Sequence, residues 1–112
     1  MGLRVSLAPQ ALRELDEIAH YIRTRGSRES AERWFNQIVA EIRTLSESPM
    51  RCAIAPESRD AGVDVRLLLH GRRHRQYKIY YVIDETRATV SVVHVRHWAR
   101  QPLGRDELEE LL

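Results

Sequence analysis

The residues best suited to chemistry lie late in the chain: Arg66, Lys78, His97 and Arg100, with Arg72, Arg73 and Arg75 between the first two. A guanidinium or ammonium group can hold an anion, and an imidazole can give or take a proton at neutral pH. Their setting is strongly basic. Residues 66–100 carry seven Arg and Lys78 against only Asp84 and Glu85, a balance of +6, while residues 1–65 balance at −1 and residues 101–112 at −3. The net charge of +2 conceals this division. A clustered positive field attracts a polyanion or an acidic protein surface. The plainer alternative is a solvated strand face, because charge clusters are common on small domains. Each candidate has such an alternative. Arg66 and Lys78 can be the charged outer face of a half-buried sheet, and Arg72, Arg73 and Arg75 a solvated turn. His97 and Arg100 can be a strand-end pair that fixes the turn into the last helix. Trp98 follows a strand end, where an exposed aromatic can anchor a partner. His70, His74 and His94 have no Cys or carboxylate partner at ligand spacing, so no metal site and no cofactor is expected.

The elements that must position these groups follow from hydrophobic period. Residues 3–7 (LRVSL) alternate as a short edge strand would. Pro9 suits a first helical turn, and Leu12, Leu15, Ile18, Ala19 and Ile22 recur at spacings of three and four, which predicts an amphipathic helix over 9–25. Gly26 can end it. Ser27 or Ser30 can cap a second helix that runs to about Ser48, where Pro49 stops it; its stripe is Ala31, Trp34, Phe35, Ile38, Val39, Ile42 and Leu45. So short a link makes the two helices antiparallel neighbours. Residues 49–62 read as a loop, after which the period changes to two. Strands are expected over 63–69, 76–83 and 88–95, the last apolar on both faces like a central strand, and 84–87 is short enough for a hairpin. In this reading Val63, Val65, Leu67 and Leu69 face inward with Tyr77, Ile79 and Tyr81, which turns Arg66 and Lys78 outward on a face that the helices leave partly open. DELEELL closes the chain as a short acidic helix with Leu108, Leu111 and Leu112 as its apolar contacts.

Helices followed by strands predict an α+β fold: a short N-terminal strand and an antiparallel helical hairpin on a small antiparallel sheet, with a short C-terminal helix. At 112 residues one domain spanning 1–112 is expected. Hydrophobic content of 43% with 30% charged residues excludes the composition of a disordered chain. Cys52, the single cysteine, excludes an intrachain disulfide and fits a reducing compartment. The N-terminus has no apolar stretch of signal-peptide length and no run approaches a membrane span, so a cytoplasmic location is expected.

The segment YKIYYVIDETRATVSVVHVRHWAR resembles the C-terminal hallmark of the RelE/ParE superfamily, toxins of type II toxin–antitoxin systems: an aromatic-basic-aliphatic strand, a hairpin, and a strand ending in His-x-x-Arg. PMRCAIAPES followed by VRLLLHG resembles the loop and second strand of its ParE-like branch, and the element order matches over nearly the whole chain. The resemblance implies a growth inhibitor neutralised by a cognate antitoxin encoded nearby, and a role in plasmid stabilisation. Two activities occur in the superfamily. ParE-like members poison DNA gyrase, whereas RelE-like members are metal-independent endoribonucleases that cut mRNA on the ribosome. RNA cleavage needs an activated 2′-hydroxyl, charge on the crowded phosphate and an acid for the leaving oxygen. Arg66, Lys78 and Arg100 can supply the charge here and His97 the acid or base. The RelE pattern also expects two lysines on the second strand and a tyrosine near the C-terminus. Leu67 and Leu69 stand in that strand, the last tyrosine is Tyr81, and the expected tyrosine position falls near Gly104. That shortfall favours gyrase over the ribosome as target and binding over catalysis. Contacts to target or antitoxin are then assigned to Arg66, Arg72, Arg73, Arg75, Lys78, Trp98 and Arg100.

Overall fold

A computed structural model of the chain describes residues 2–59 and 61–111. The chain forms β1 (Arg4–Leu7), α1 (Pro9–Arg25), α2 (Arg28–Arg43), β2 (Val65–His70), β3 (Tyr77–Asp84), β4 (Thr89–His97) and α3 (Arg105–Glu109). Pro9 opens α1 at a position that needs no backbone donor. The alternatives for capping α2 prove to be one device. The Ser27 side chain accepts from the Ser30 amide, and the Ser30 hydroxyl accepts from the Ser27 amide. α2 itself ends at Arg43, and a 3-10 turn, Thr44–Ser46, carries Leu45 into the core.

Among the described residues the four strands form one sheet in the order β1-β4-β3-β2. The last three are antiparallel, as expected, but β1 pairs parallel with β4, so the sheet is mixed. The cause is topological: β1 leaves directly into α1 and meets its partner only after the hairpin and two further strands. The β3–β4 register slips between Tyr80 and Tyr81, whose partners are His94 and Val92, leaving Val93 as the extra residue of a bulge. Val92 and Val95 therefore share one face of β4 and Val93 takes the other.

The helical hairpin covers one face of the sheet. Ala11, Leu15, Ile38, Ile42 and Leu45 pack there against Leu68, Tyr77, Ile79, Tyr81, Val90, Val92 and Val95. Burying a side chain such as Leu15 or Ile38 contributes about 2 kcal/mol. Leu12, placed in the apolar stripe of α1 by spacing, is 45% exposed, and Ala11 is buried instead. The opposite face is also covered. Ala55, Val65, Tyr80, Val93, Leu103 and Leu108 form a second cluster, with Leu67, Val82 and Leu111 at its margin. Leu112 lies outside the described residues.

This second cluster reverses part of the orientation expected for β2. Val65 and Leu67 face the α3 side, Leu68 faces the hairpin, and Leu69 is 47% exposed. Arg66 lies opposite Tyr81 and so turns toward the hairpin side, while Lys78, between Tyr77 and Ile79, takes the other face. They do not share an outer face. The expectation failed because period two gives alternation but not its sign, and β2 is apolar at both sets of positions.

Candidate functional site

The β2–β3 connection is a tight structure imposed by glycine. Gly71 has φ +92°, and a Cβ there would stand 2.2 Å from the Arg75 carbonyl oxygen. Arg73 also takes positive φ, and Arg73–Arg75 form one 3-10 turn with exposed side chains. Across from it lies the α1–α2 turn at Gly26. Between the two is a groove of about 880 Å³ with Trp34 and Tyr77 among the residues lining it. Their rings meet edge to face at 5.1 Å, and His97 packs on Tyr77 in the same manner at 5.4 Å. Burial raises the Tyr77 phenol, Tyr21 adds to that, and Arg75 opposes it.

The groove is basic from both sides. Arg72 and Arg75 come from the strand connection, Arg25 and Arg33 from the helices, and Glu17 is the single carboxylate among the lining residues. Arg25 lies over the Tyr21 ring at 5.0 Å. The two helical arginines belong to the charge-balanced part of the chain, so counting along the sequence missed them. Only folding places them opposite Arg72 and Arg75. Both tryptophans are at this end: Trp34 lines the groove, and Trp98, 42% exposed, stands beside His74 and His97.

The other site candidates are dispersed. His97 Nε2 is 2.5 Å from the His74 carbonyl oxygen, and the Ala99 amide donates to Nδ1 at 3.2 Å. A carbonyl only accepts and an amide only donates, which fixes the Nε2–H tautomer and occupies both ring nitrogens. Arg66 donates to the Cys52 carbonyl at 2.6 Å and touches the Met50 sulfur, pinning the loop over its strand. Lys78 lies on the α3 side, where its charge helps hold Glu57 in its ionised form. Arg100 is exposed beyond β4, its amide closing a turn on the His97 carbonyl. These four do not converge on one point.

A buried charged cluster escaped the sequence reading. Because β1 stops at Leu7, the edge of β4 beyond Val92 has no strand beside it, and α1 supplies the missing acceptor. Glu14 Oε1 takes the Val95 amide at 2.9 Å, and both its oxygens lie 3.3 Å from His94 Nδ1. Burial pushes the Glu14 carboxyl upward. The bond with His94, the Val95 amide and the imidazole's charge outweigh it, and the group stays below its ordinary range. Arg96 stands 3.9 Å from Glu14, donates to the Gln101 carbonyl and pairs with Glu107 of α3. The cluster thus ties α1, β4 and α3 together. A signal was available: Glu14 falls at the buried spacing of Ala11, Leu15 and Ile18, where an unpaired carboxylate is costly. Among the described residues no group of three or more His, Cys, Asp or Glu is placed to hold a metal ion, and no helix is long and apolar enough to cross a membrane.

The family model for the ParE toxin of the type II toxin–antitoxin system parDE matches residues 5–102. The chain belongs to the ParE toxin family. Sequence comparison with curated proteins finds no match. The fold of this ParE-family toxin is similar to that in the chromosomal ParDE system from P. aeruginosa, with a TM-score of 0.69, 16% identity, and coverage of 85% of this chain and 95% of that one. It is also similar to a mutant E. coli toxin RelE in the free state, at TM-score 0.56 and 16% identity over 88% of this chain and 86% of that one. The toxin–antitoxin complex RelBE2 from Mycobacterium tuberculosis gives 0.55 and 24% over 89% and 95%. At these identities the ParE and RelE likenesses establish a shared fold and leave the target to be argued from the site.

Proposed function

We propose that this ParE-family toxin inhibits growth by binding DNA gyrase without cutting RNA, and that a cognate antitoxin protein encoded nearby neutralises it. The observation that carries the reading is the state of His97. Both its nitrogens are spent on backbone groups, and the cations Arg66, Lys78 and Arg100 are turned to different surroundings. A phosphodiester held at one of them is not held by the others, so the charge and proton transfer that cleavage requires are not assembled around a common centre. The absence of lysine from β2, which carries Leu67, Leu68 and Leu69, points the same way. What the surface does offer is a rigid basic end suited to holding an acidic or anionic partner.

The test is a supercoiling assay with purified gyrase and relaxed plasmid. Excess toxin is expected to suppress supercoiling and stoichiometric antitoxin to restore it. Full supercoiling at excess toxin, together with cleaved mRNA in a ribosome-programmed reaction, would replace this reading with the nuclease one.

A further inference from the structure

The groove between the helical hairpin turn and the β2–β3 connection has features that growth inhibition alone does not account for. Four arginines line it from two separate parts of the chain, against one carboxylate, Glu17. Exposed arginines at such density repel one another, so an anionic occupant is favoured by charge. The aromatic floor narrows the choice of anion. A single-stranded nucleic acid binds by stacking its bases on free aromatic faces. Trp34 instead meets Tyr77 edge to face, and Tyr77 is packed in turn by His97. Ile18 and Ile22 add an apolar wall. The volume of about 880 Å³ is that of a pocket for a few side chains, not of a track for a phosphate backbone. The Trp34 indole N–H is buried without a hydrogen-bond partner among the described residues, a donor left for an acceptor such as a carboxylate or peptide carbonyl.

We propose that this groove is a docking site for a short acidic peptide segment bearing one aromatic or aliphatic anchor, the anchor seated on Trp34 and Tyr77 and the carboxylates held by Arg72, Arg75, Arg25 and Arg33. The inference rests on the reading above only in taking the antitoxin as the source of that segment; it does not depend on the identity of the toxin's target.

The experiment selects phage-displayed random dodecapeptides on the full-length chain, with counter-selection on an Arg72→Glu/Arg75→Glu variant. Both side chains are exposed, so the variant should keep the parent's circular dichroism and melting temperature. Peptides of net negative charge with a recurrent aromatic or aliphatic position are expected to emerge. Titrating one of them should change the tryptophan fluorescence saturably, and Trp34→Phe should remove most of that change. Binding should weaken at least tenfold in the Arg72/Arg75 variant and in a separate Arg25→Glu/Arg33→Glu variant. Enrichment of neutral or basic peptides, or of none that distinguishes parent from variant, would overturn the proposal. So would an oligothymidylate that binds in an Arg72- and Arg75-dependent way where no peptide does. Selection of acidic peptides by a chain that leaves gyrase untouched would retire the target assignment and keep the docking site; gyrase inhibition without peptide selection would do the reverse.

Discussion

Glu14 offers the sharpest stability prediction. It is 5% exposed and holds the Val95 amide, His94 and the far side of Arg96. In Glu14→Ala the buried Val95 amide loses its acceptor, which costs about 1–3 kcal/mol. Arg96 loses one of two counter-charges but keeps Glu107 and the Gln101 carbonyl, so the whole of the about 3–5 kcal/mol for a broken buried pair is not lost. A total of about 3 kcal/mol is expected, a large share of the roughly 5–15 kcal/mol that holds a typical domain together. At about 4 °C per kcal/mol the melting temperature falls by about 12 °C. Glu14→Gln keeps an acceptor for Val95 and forfeits only the charge, for about 1–2 kcal/mol. The two variants also differ in pH dependence. The folded Glu14 carboxyl lies below its ordinary value of 4.5, so its stabilisation is complete above that value and is lost as pH falls through the lowered folded value. The gap between parent and Glu14→Gln should therefore be widest near neutrality and close in acid. Urea denaturation followed by circular dichroism between pH 7 and pH 3 measures both effects. A Glu14→Ala cost below about 1 kcal/mol, or a Gln gap independent of pH, would refute the account of the cluster.

Gly71→Ala puts a methyl group against the Arg75 carbonyl at a φ that L-residues avoid, and is expected to cost about 2 kcal/mol and to rearrange the Arg73–Arg75 turn. Thermal melting reports the cost, and amide exchange at residues 72–76 reports the rearrangement. Ser27→Ala removes half of the reciprocal cap of α2 and should destabilise by about 1 kcal/mol in the same melt without altering the fold.

The helical hairpin was legible because a 3.6-residue period is written redundantly over more than thirty positions. The strand count and order came from period two, and the hairpin at 84–87 from its length. The faces were not legible. β2 reads VRLLLH, and nothing in that string says whether Leu67 or Leu68 meets the helices; the answer depends on Leu103 and Leu108, which cover the other side from more than thirty residues away. Leu12 and Ala11 exchanged places for a related reason, since a stripe drawn from large residues ignores that alanine fits where helix and sheet approach closely. The site was half legible. Arg72 and Arg75 stood in an evident basic turn, but Arg25 and Arg33 sat among acids in sequence and join them only in space. His97 was recognisable as a residue able to move protons. Its engagement with His74 and Ala99 depends on how the strand ends, which composition does not record.

The parallel pairing of β1 with β4 has a consequence for how the molecule comes into being. Arg4 lies beside Thr89 and Leu7 beside Val92, so the first strand made waits for the last before it can be paired. During synthesis the hairpin can form early from local contacts, but the sheet lacks its central strand until nearly the whole chain has been translated. Closing so long a loop is the slow step for a domain of this size. A ribosome-bound or truncated product that stops short of residue 89 cannot pair β1 with β4, and it presents the apolar face of α1 and α2 uncovered. A chain cut short in this way is a substrate for proteases and chaperones before it can be a poison. The connectivity thus delays the folded toxin until its synthesis is almost complete, giving an antitoxin translated from the same message time to be present.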